Sequence, residues 1–346
     1  MPHLRHWRTP LIATATTATV GAGIMLALGQ RFLNEFTRPG ITADLMTVGV
    51  FPDHDPLSEA PKSLQRIVKF RAVDGTTLHG EFWAQPQPAP TIIISHGFHL
   101  SSQYFRAVAA LEYAAGMNIL LFDYRGHGAS AAVATTCGLD EIQDLYAAIE
   151  LVTAQPETLK RQVYIHGFSM GAAVALLLPP HSAVAGIIAD SAYAHLDEMI
   201  RLIMSQIITD ELAPWPIPNF MRPRLVQGLT FVTLTGGRVL FQLRYRKSLI
   251  ARPERAIRSQ AKRYRRDATL TSPPPILLIH DERDPIIAFS HAERLVIAAN
   301  AGNRSIRHYY SDSALHCGAY GADPQEYMGL LREFVAESAP TTSNTH

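Results

Sequence analysis

The sequence predicts an α/β fold: a mostly parallel, doubly wound sheet with helices on both faces. Two observations carry this. Short apolar runs rich in β-branched residues (Thr91–Ser95, Asn118–Phe122, Val163–Ile165, Ala185–Ala189, Pro275–His280) alternate with segments of helical period such as Phe105–Ala115, Leu139–Thr153 and His291–Ala299. The run at Val163 breaks at Gly167-Phe168-Ser169-Met170-Gly171 and continues as an apolar helix through Leu178. A serine at the apex of a strand, turn and helix projects from the turn, and small residues two positions either side let the two elements approach.

A chain of 346 residues holds one large α/β domain or two small ones. Apolar content of 47% and charged content of 18% suit a globular protein. The net charge of +1 gives no global argument for nucleic acid. Cys137 and Cys317 exclude a disulfide scaffold and offer no metal-binding spacing. They read as unpaired thiols, with one bridge in an exported domain as the alternative. The fifteen histidines are scattered and form no His-Glu-x-x-His cluster, so neither a metal nor an organic cofactor is expected.

In chain order, Thr9 to Gln30 carries no charge and has an Ala-, Thr- and Leu-rich core from Leu11 to Leu28. That is long enough for a bilayer span, though four threonines dilute it, and Arg5 and Arg8 flank it as in a cytoplasmic n-region. Residues 1–30 therefore read as a signal anchor, placing the rest extracytoplasmic as a single-pass membrane protein. The alternatives are a signal peptide cleaved at Ala27-Leu28-Gly29, leaving a secreted protein, and a soluble helix. Residues 31–62, with Pro52, Pro56 and Pro61, read as a tether. The main domain is expected over 63–338, with a polar tail at 339–346.

Ile67–Phe70 and Thr77–Trp83 flank Asp74-Gly75, a hairpin signal. The Thr91–Ser95 strand ends in His96-Gly97-Phe98, and the next strand runs into Asp123-Tyr124-Arg125-Gly126-His127-Gly128-Ala129-Ser130. From about 196 to 268 the strand–helix rhythm stops. Pro214, Pro216, Pro218 and Pro223 break it, and an apolar run from Leu225 to Leu243 is interrupted by Gly228, Gly236 and Gly237. Arg238 to Arg266 holds eleven cations and one anion. It reads either as a solvated helix face or as a surface for anionic lipid headgroups; no aromatic stacking series accompanies it, and nucleic acid is not expected. Beyond it come Asp284, a strand over Ile306–Tyr310, His316 and a closing helix over Asp323–Glu337.

Serine is a poor nucleophile unless a base takes its proton, and the base needs an orienting acid. The turn around Ser169, the His96-Gly97 pair, the Asp123–Ser130 stretch and the order Ser169, Asp284, His316 together resemble the α/β-hydrolase superfamily, from roughly Ile67 to Val335 with a divergent middle. Within it the chain is similar to membrane-anchored or exported serine hydrolases with a short helical cap. The resemblance implies Ser169 as nucleophile, His316 as base and Asp284 as acid. It also implies the N–H groups of Phe98 and Met170 as an oxyanion hole, a structural role for Asp123 and His127, and a lid over 196–268. Asp281 stands where the family usually has glycine and is the fallback acid. Asp190 follows the strand after the nucleophile and is read as a cap or turn residue, with the acid's role as its alternative. Acyl-bond hydrolysis through an acyl-enzyme is then expected. A carboxylesterase or lipase-like activity on a small or lipid-like acyl substrate comes first, a thioesterase or serine peptidase second. A catalytically silent binding protein on the same fold is the reading from another class.

Overall fold

A computed structural model describes residues 8–38, 60–264 and 272–340, the side chains of 8–20 and 261–263 excepted. Most of the 31–62 tether, the 341–346 part of the tail, and Arg265 and Arg266 of the basic stretch lie outside the described residues. The chain divides into two compact units, Arg38–Met199 with Ile250–His346, and Met1–Thr37 with Ile200–Leu249.

The larger unit is built on eight strands: β1 (Gln65–Arg71), β2 (Thr77–Trp83), β3 (Ala89–Ser95), β4 (Asn118–Asp123), β5 (Thr158–Phe168), β6 (Val184–Asp190), β7 (Ile276–Asp281) and β8 (Ile306–Ser311). The ten α-helices among the described residues are α1 (Arg8–Thr37), α2 (Arg106–Ala114), α3 (Glu141–Thr153), α4 (Met170–Leu177), α5 (Leu196–Leu212), α6 (Arg222–Tyr245), α7 (Pro253–Tyr264), α8 (Ser290–Ala301), α9 (Ala319–Ala322) and α10 (Pro324–Ser338). The strands lie in the order β1-β2-β4-β3-β5-β6-β7-β8. β1 pairs with β2, and β2 with β4, antiparallel; from β4 onward every pairing is parallel. The first hairpin closes at Gly75, whose φ of +86° suits glycine, while Asp74 accepts the Thr76 N–H at 3.0 Å.

Parallel strands buried on both faces read as continuous apolar runs, and all six residues of β4 and of β7 are buried. Side chains alternate between the two faces. Ile92, Ile94, Ile119, Leu121, Tyr164, Phe168, Leu277 and Ile279 pack with Val108 and Ala109 of α2 and Leu331 and Phe334 of α10. Ile93, Leu120, Ile165 and Leu278 point the other way and are fully buried, as are Leu145, Ile149 and Val152 of α3. The chain crosses from β3 to β4 on one side and returns to β5 on the other. The carboxyl ends of β3 and β5 thus mark the topological switch point, where open α/β sheets form a crevice.

In the smaller unit the structure departs from expectation in two ways. The apolar run expected to be interrupted by glycines is one continuous helix, α6. Two of its three glycines, Gly236 and Gly237, are contact residues, while Gly228 faces open space: a Cβ on Gly236 would lie 2.1 Å from the carbonyl oxygen of Met25, and one on Gly29 would lie 2.3 Å from the backbone of Gly236. Only glycine lets α1 and α6 come this close, and that proximity replaces the entropy glycine costs inside a helix. Second, α1 does not stop at Gln30. It continues to Thr37, with Phe32 and Leu33 buried and Arg31 paired with Glu211 of α5. No helix among the described residues is long and apolar enough to cross a membrane. The transmembrane anchor, and the extracytoplasmic placement that followed from it, are therefore not supported. The side chains of the first part of the expected span, residues 9–20, lie outside the described residues, and beyond the span Arg31 and Glu35 lie on the last turns of α1.

The 196–268 insertion also ends earlier than expected. From Ile250 the chain belongs to the larger unit, where Ile257 and Gln260 of α7 are buried. The Arg238–Arg266 stretch is consequently divided between the two units and is not one helix face. Cys137 and Cys317 are separate buried thiols, so the bridge alternative falls.

Candidate active site

Ser169 sits between the last residue of β5 and the first of α4, with φ +53° and ψ −111°. A non-glycine residue there stores roughly 1–3 kcal/mol of backbone strain. The surrounding contacts enforce it. The Ser169 N–H donates to the Asp190 carbonyl at 2.8 Å, and its own carbonyl accepts from the Ala173 N–H at 3.0 Å. A Cβ on Gly171 would lie 2.0 Å from the carbonyl oxygen of Ser95, and one on Gly167 would lie 2.6 Å from the backbone of Ala172. These are backbone atoms that cannot rotate away. Gly171→Ala is therefore expected to cost about 3 kcal/mol or more, in the range of overpacked or strained core changes. Urea denaturation checks this, and a loss below about 1 kcal/mol would mean that the turn can open without penalty.

Asp284 lies in the loop after β7. Its Oδ1 accepts the N–H groups of Ile286 and Ile287 at 2.8 and 2.9 Å. Its Oδ2 stands 2.7 Å from Nδ1 of His316, in the loop after β8. Nδ1 facing a carboxylate carries the hydrogen, which leaves Nε2 with its lone pair free. Nε2 is buried and has no hydrogen-bond partner among the described residues. The loops after β5, β7 and β8, at the carboxyl ends of parallel strands, thus carry a strained serine, a carboxylate with one oxygen fixed by backbone, and an imidazole paired with its other oxygen.

The other carboxyls are employed elsewhere. Asp281 Oδ2 accepts the Gly318 N–H at 2.6 Å, so it supports the loop of His316 rather than the ring. Burial, with Asp284 nearby, pushes its carboxyl up to about 6. Asp190 binds the hydroxyls of Ser191 and Tyr327 and is pushed up to about 8 by burial beside Asp281 and Asp284. Asp123 accepts the N–H groups of Ser102 and Ala129, both at 2.8 Å, which tie down the neighbouring loops.

The proposed oxyanion donors fall at the switch point. Met170 is the first residue of α4, where N–H groups lack helical acceptors. Phe98 lies in the turn after β3, next to His99 at φ +62°. A Cβ on Gly97 would stand 3.4 Å from the Ser169 Cβ, so this loop borders the serine directly. His96 holds the loop in place: its Nε2 accepts the Tyr124 N–H at 2.9 Å, and burial lowers its pKa, keeping it neutral. His127 Nδ1 donates to the Arg125 carbonyl at 2.8 Å, and burial, with His96 next, pushes it down to about 3. Among the described residues no group of three or more His, Cys, Asp or Glu side chains is arranged to hold a metal ion.

Sequence reasoning singled out Asp190 but missed the buried line of polar side chains to which it belongs, with Glu112, His166, Tyr327 and Ser191. They come from α2, β5, α10 and β6. The one signal available was a glutamate among apolar residues on the inner side of α2.

Comparison with known proteins agrees with this architecture. Residues 92–326 match the model of the alpha/beta hydrolase family. The Bacillus subtilis protein YqkD, itself uncharacterised, is 25% identical over 94% of this chain and 95% of its own length. The thiohydrolase ApmlB of Arthrinium phaeospermum is 26% identical over 46% of this chain and 47% of its own. Among solved structures, the Pyrococcus furiosus esterase Pf2001 superposes with a TM-score of 0.60 at 22% identity, over 85% of this chain and 98% of the esterase. With more than half its length inside the family model, the chain belongs to the alpha/beta hydrolase family.

Proposed function

We propose that the protein is a serine hydrolase that cleaves a carboxylic ester through an acyl-enzyme intermediate. The observation that carries the reading is the pairing of His316 Nδ1 with Asp284 Oδ2 at 2.7 Å, with the opposite ring nitrogen buried and open, in a loop beyond the strained Ser169 turn. Ser169 Oγ attacks the acyl carbonyl, and His316 Nε2 takes the hydroxyl proton. The N–H groups of Met170 and Phe98 receive the negative charge that develops on the carbonyl oxygen. His316 returns its proton to the leaving alkoxide. Water then repeats the sequence on the acyl-serine and releases the acid. Asp284 keeps the ring in the tautomer with Nε2 bare and stabilises the imidazolium.

A thioester is the second substrate class, because the same steps serve a thiolate leaving group and the relative ApmlB is named a thiohydrolase. Labelling with a fluorophosphonate, followed by a panel of acyl esters, acyl thioesters and peptide amides, tests both. Labelling with ester turnover is expected; labelling with thioester turnover alone selects the second class. Absence of labelling and of all turnover would leave a hydrolase-fold protein that binds without catalysing.

A further inference from the structure

A line of hydrogen bonds crosses the interior of the larger unit beneath Ser169. Glu112 Oε1 lies 2.6 Å from His166 Nδ1, and His166 Nε2 lies 2.9 Å from the Tyr327 hydroxyl oxygen. That oxygen lies 2.8 Å from Asp190 Oδ2, and Ser191 Oγ is 2.9 Å from Asp190 Oδ1. The line ends where Ser191 Oγ accepts the N–H of Cys317 at 3.2 Å, one residue past His316. Cys317 has φ +54°, a conformation that needs such support. Glu112, His166, Asp190, Ser191 and Tyr327 are all fully buried.

We propose that Asp190 is a positioning residue for His316, held uncharged at the end of this chain, which passes from Glu112 through His166 and Tyr327 and by way of Ser191 to the backbone of the His316 loop. The inference rests on the hydrolase reading above.

Counting hydrogens supports it. Tyr327 has one hydroxyl hydrogen and two neighbours that want it. If Tyr327 donates to Asp190, His166 must donate to Tyr327 from Nε2, and the Glu112 contact then needs a second hydrogen. If Asp190 is itself protonated, it donates to Tyr327, Tyr327 donates to His166 Nε2, and His166 Nδ1 donates to Glu112. The two patterns use the same hydrogens. They differ in which end of the chain carries the negative charge. At Asp190 the charge meets the carboxyls of Asp281 and Asp284, which with burial act against ionisation. At Glu112 it meets neither. Like charges sharing a buried site cannot all ionise, so the proton belongs at Asp190.

The groups around Asp190 are few. β5 brings His166 by way of Tyr327, β7 brings Asp281, the following loop brings Asp284, the loop after β8 brings Cys317, next to His316, and α10 brings Tyr327. α4 has no titratable side chain, and the other charged residues of α10 are exposed.

Loss of the proton removes one hydrogen from the line. Two acceptors then face each other somewhere along it, and the hold on Cys317 loosens as the pH rises. The stability effect has the same sign. A carboxyl pushed up to about 8 in the folded chain contributes stability that is complete below the ordinary carboxyl range, lost as pH rises, and gone above about 8. An asparagine reproduces the uncharged pattern at all pH values, its amide donating to Tyr327 and its oxygen accepting from Ser191.

The test uses the full chain and three variants. Infrared spectra of the native protein near neutral pH should contain the carbonyl stretch of a neutral, buried carboxylic acid, and Asp190→Asn should remove it. The same variant should flatten the fall in melting temperature between about pH 5 and about pH 8. Asp190→Ala and Tyr327→Phe should each lower kcat about tenfold to hundredfold with KM little changed, the size of effect produced by misplacing a reacting group. Asp190→Asn should restore kcat to within about threefold and extend activity to higher pH. A missing carboxylic acid band overturns the proposal. So does an Asp190→Asn variant as damaged as Asp190→Ala, because the charge and not the hydrogen-bond pattern would then matter, or a Tyr327→Phe variant with unchanged kcat and pH profile. The infrared and melting measurements need no substrate. If they come out as expected while nothing labels Ser169, the functional reading has failed and the protonated chain has not.

Discussion

Replacing Ser169 by alanine should abolish fluorophosphonate labelling and reduce turnover by about 10⁶, the order of loss seen when a triad serine is removed. The fold should be indifferent to it. Both hydrogen bonds that place Ser169 in the turn use its backbone, the N–H to Asp190 and the carbonyl to Ala173, and both survive the change. The melting temperature of Ser169→Ala should stay within a few degrees of native. Ser169→Gly goes further. It relieves strain of roughly 1–3 kcal/mol against an entropic cost of roughly 0.5–1 kcal/mol, so this inactive variant should be more stable than the native chain. Undiminished labelling of Ser169→Ala would move the nucleophile elsewhere. A large drop in its melting temperature would show that the side chain is structural.

Much of this was legible in the sequence because it is local. The β-branched runs became strands within a few residues of their expected ends, since a run buried on both faces has no polar residue to blur it. The Ser169 turn was legible because glycine is demanded at Gly167 and Gly171 by backbone contacts under 3 Å. Asp284 could be separated from Asp281 only by resemblance. The physical distinction, which oxygen faces the ring and which faces backbone, depends on a turn of a few residues.

What the sequence hid was long-range. Gly236 and Gly237 look like helix breakers in isolation and are contact residues once α1 is laid beside α6. An uncharged stretch alone reads as a membrane span, whereas how far α1 runs past it, to bury Phe32 and Leu33, depends on the helix laid beside it. The chain from Glu112 to Tyr327 joins residues far apart in sequence, and only Glu112, among the apolar residues of α2, stands out where it is.

The acid gives the second large effect. Asp284→Asn changes no volume, yet it should lower kcat by about 10⁴, the loss measured when a triad aspartate becomes asparagine. The local hydrogen bonds explain why the amide cannot adapt. Oδ1 accepts two backbone N–H groups, from Ile286 and Ile287, so in the variant that position must remain the amide oxygen. The amide NH₂ is then forced toward His316, and Nδ1 must present a lone pair to accept from it. The hydrogen moves to Nε2, which can no longer take a proton from Ser169. Flipping the amide would set its NH₂ against two donors and leave both unpaired, at roughly 1–3 kcal/mol each. Asp281→Asn has no such conflict. Its Oδ2 position keeps the amide oxygen on the Gly318 N–H, and the NH₂ takes the Oδ1 position, which accepts no backbone N–H among the described residues. That variant should lose less than about tenfold, because only the loop of His316 is touched. Measuring kcat for Asp284→Asn, Asp281→Asn and Asp190→Asn side by side separates the three carboxyls. If Asp281→Asn or Asp190→Asn were the crippled enzyme and Asp284→Asn nearly native, the hydrogen bond at 2.7 Å would be a structural contact and the acid would lie elsewhere.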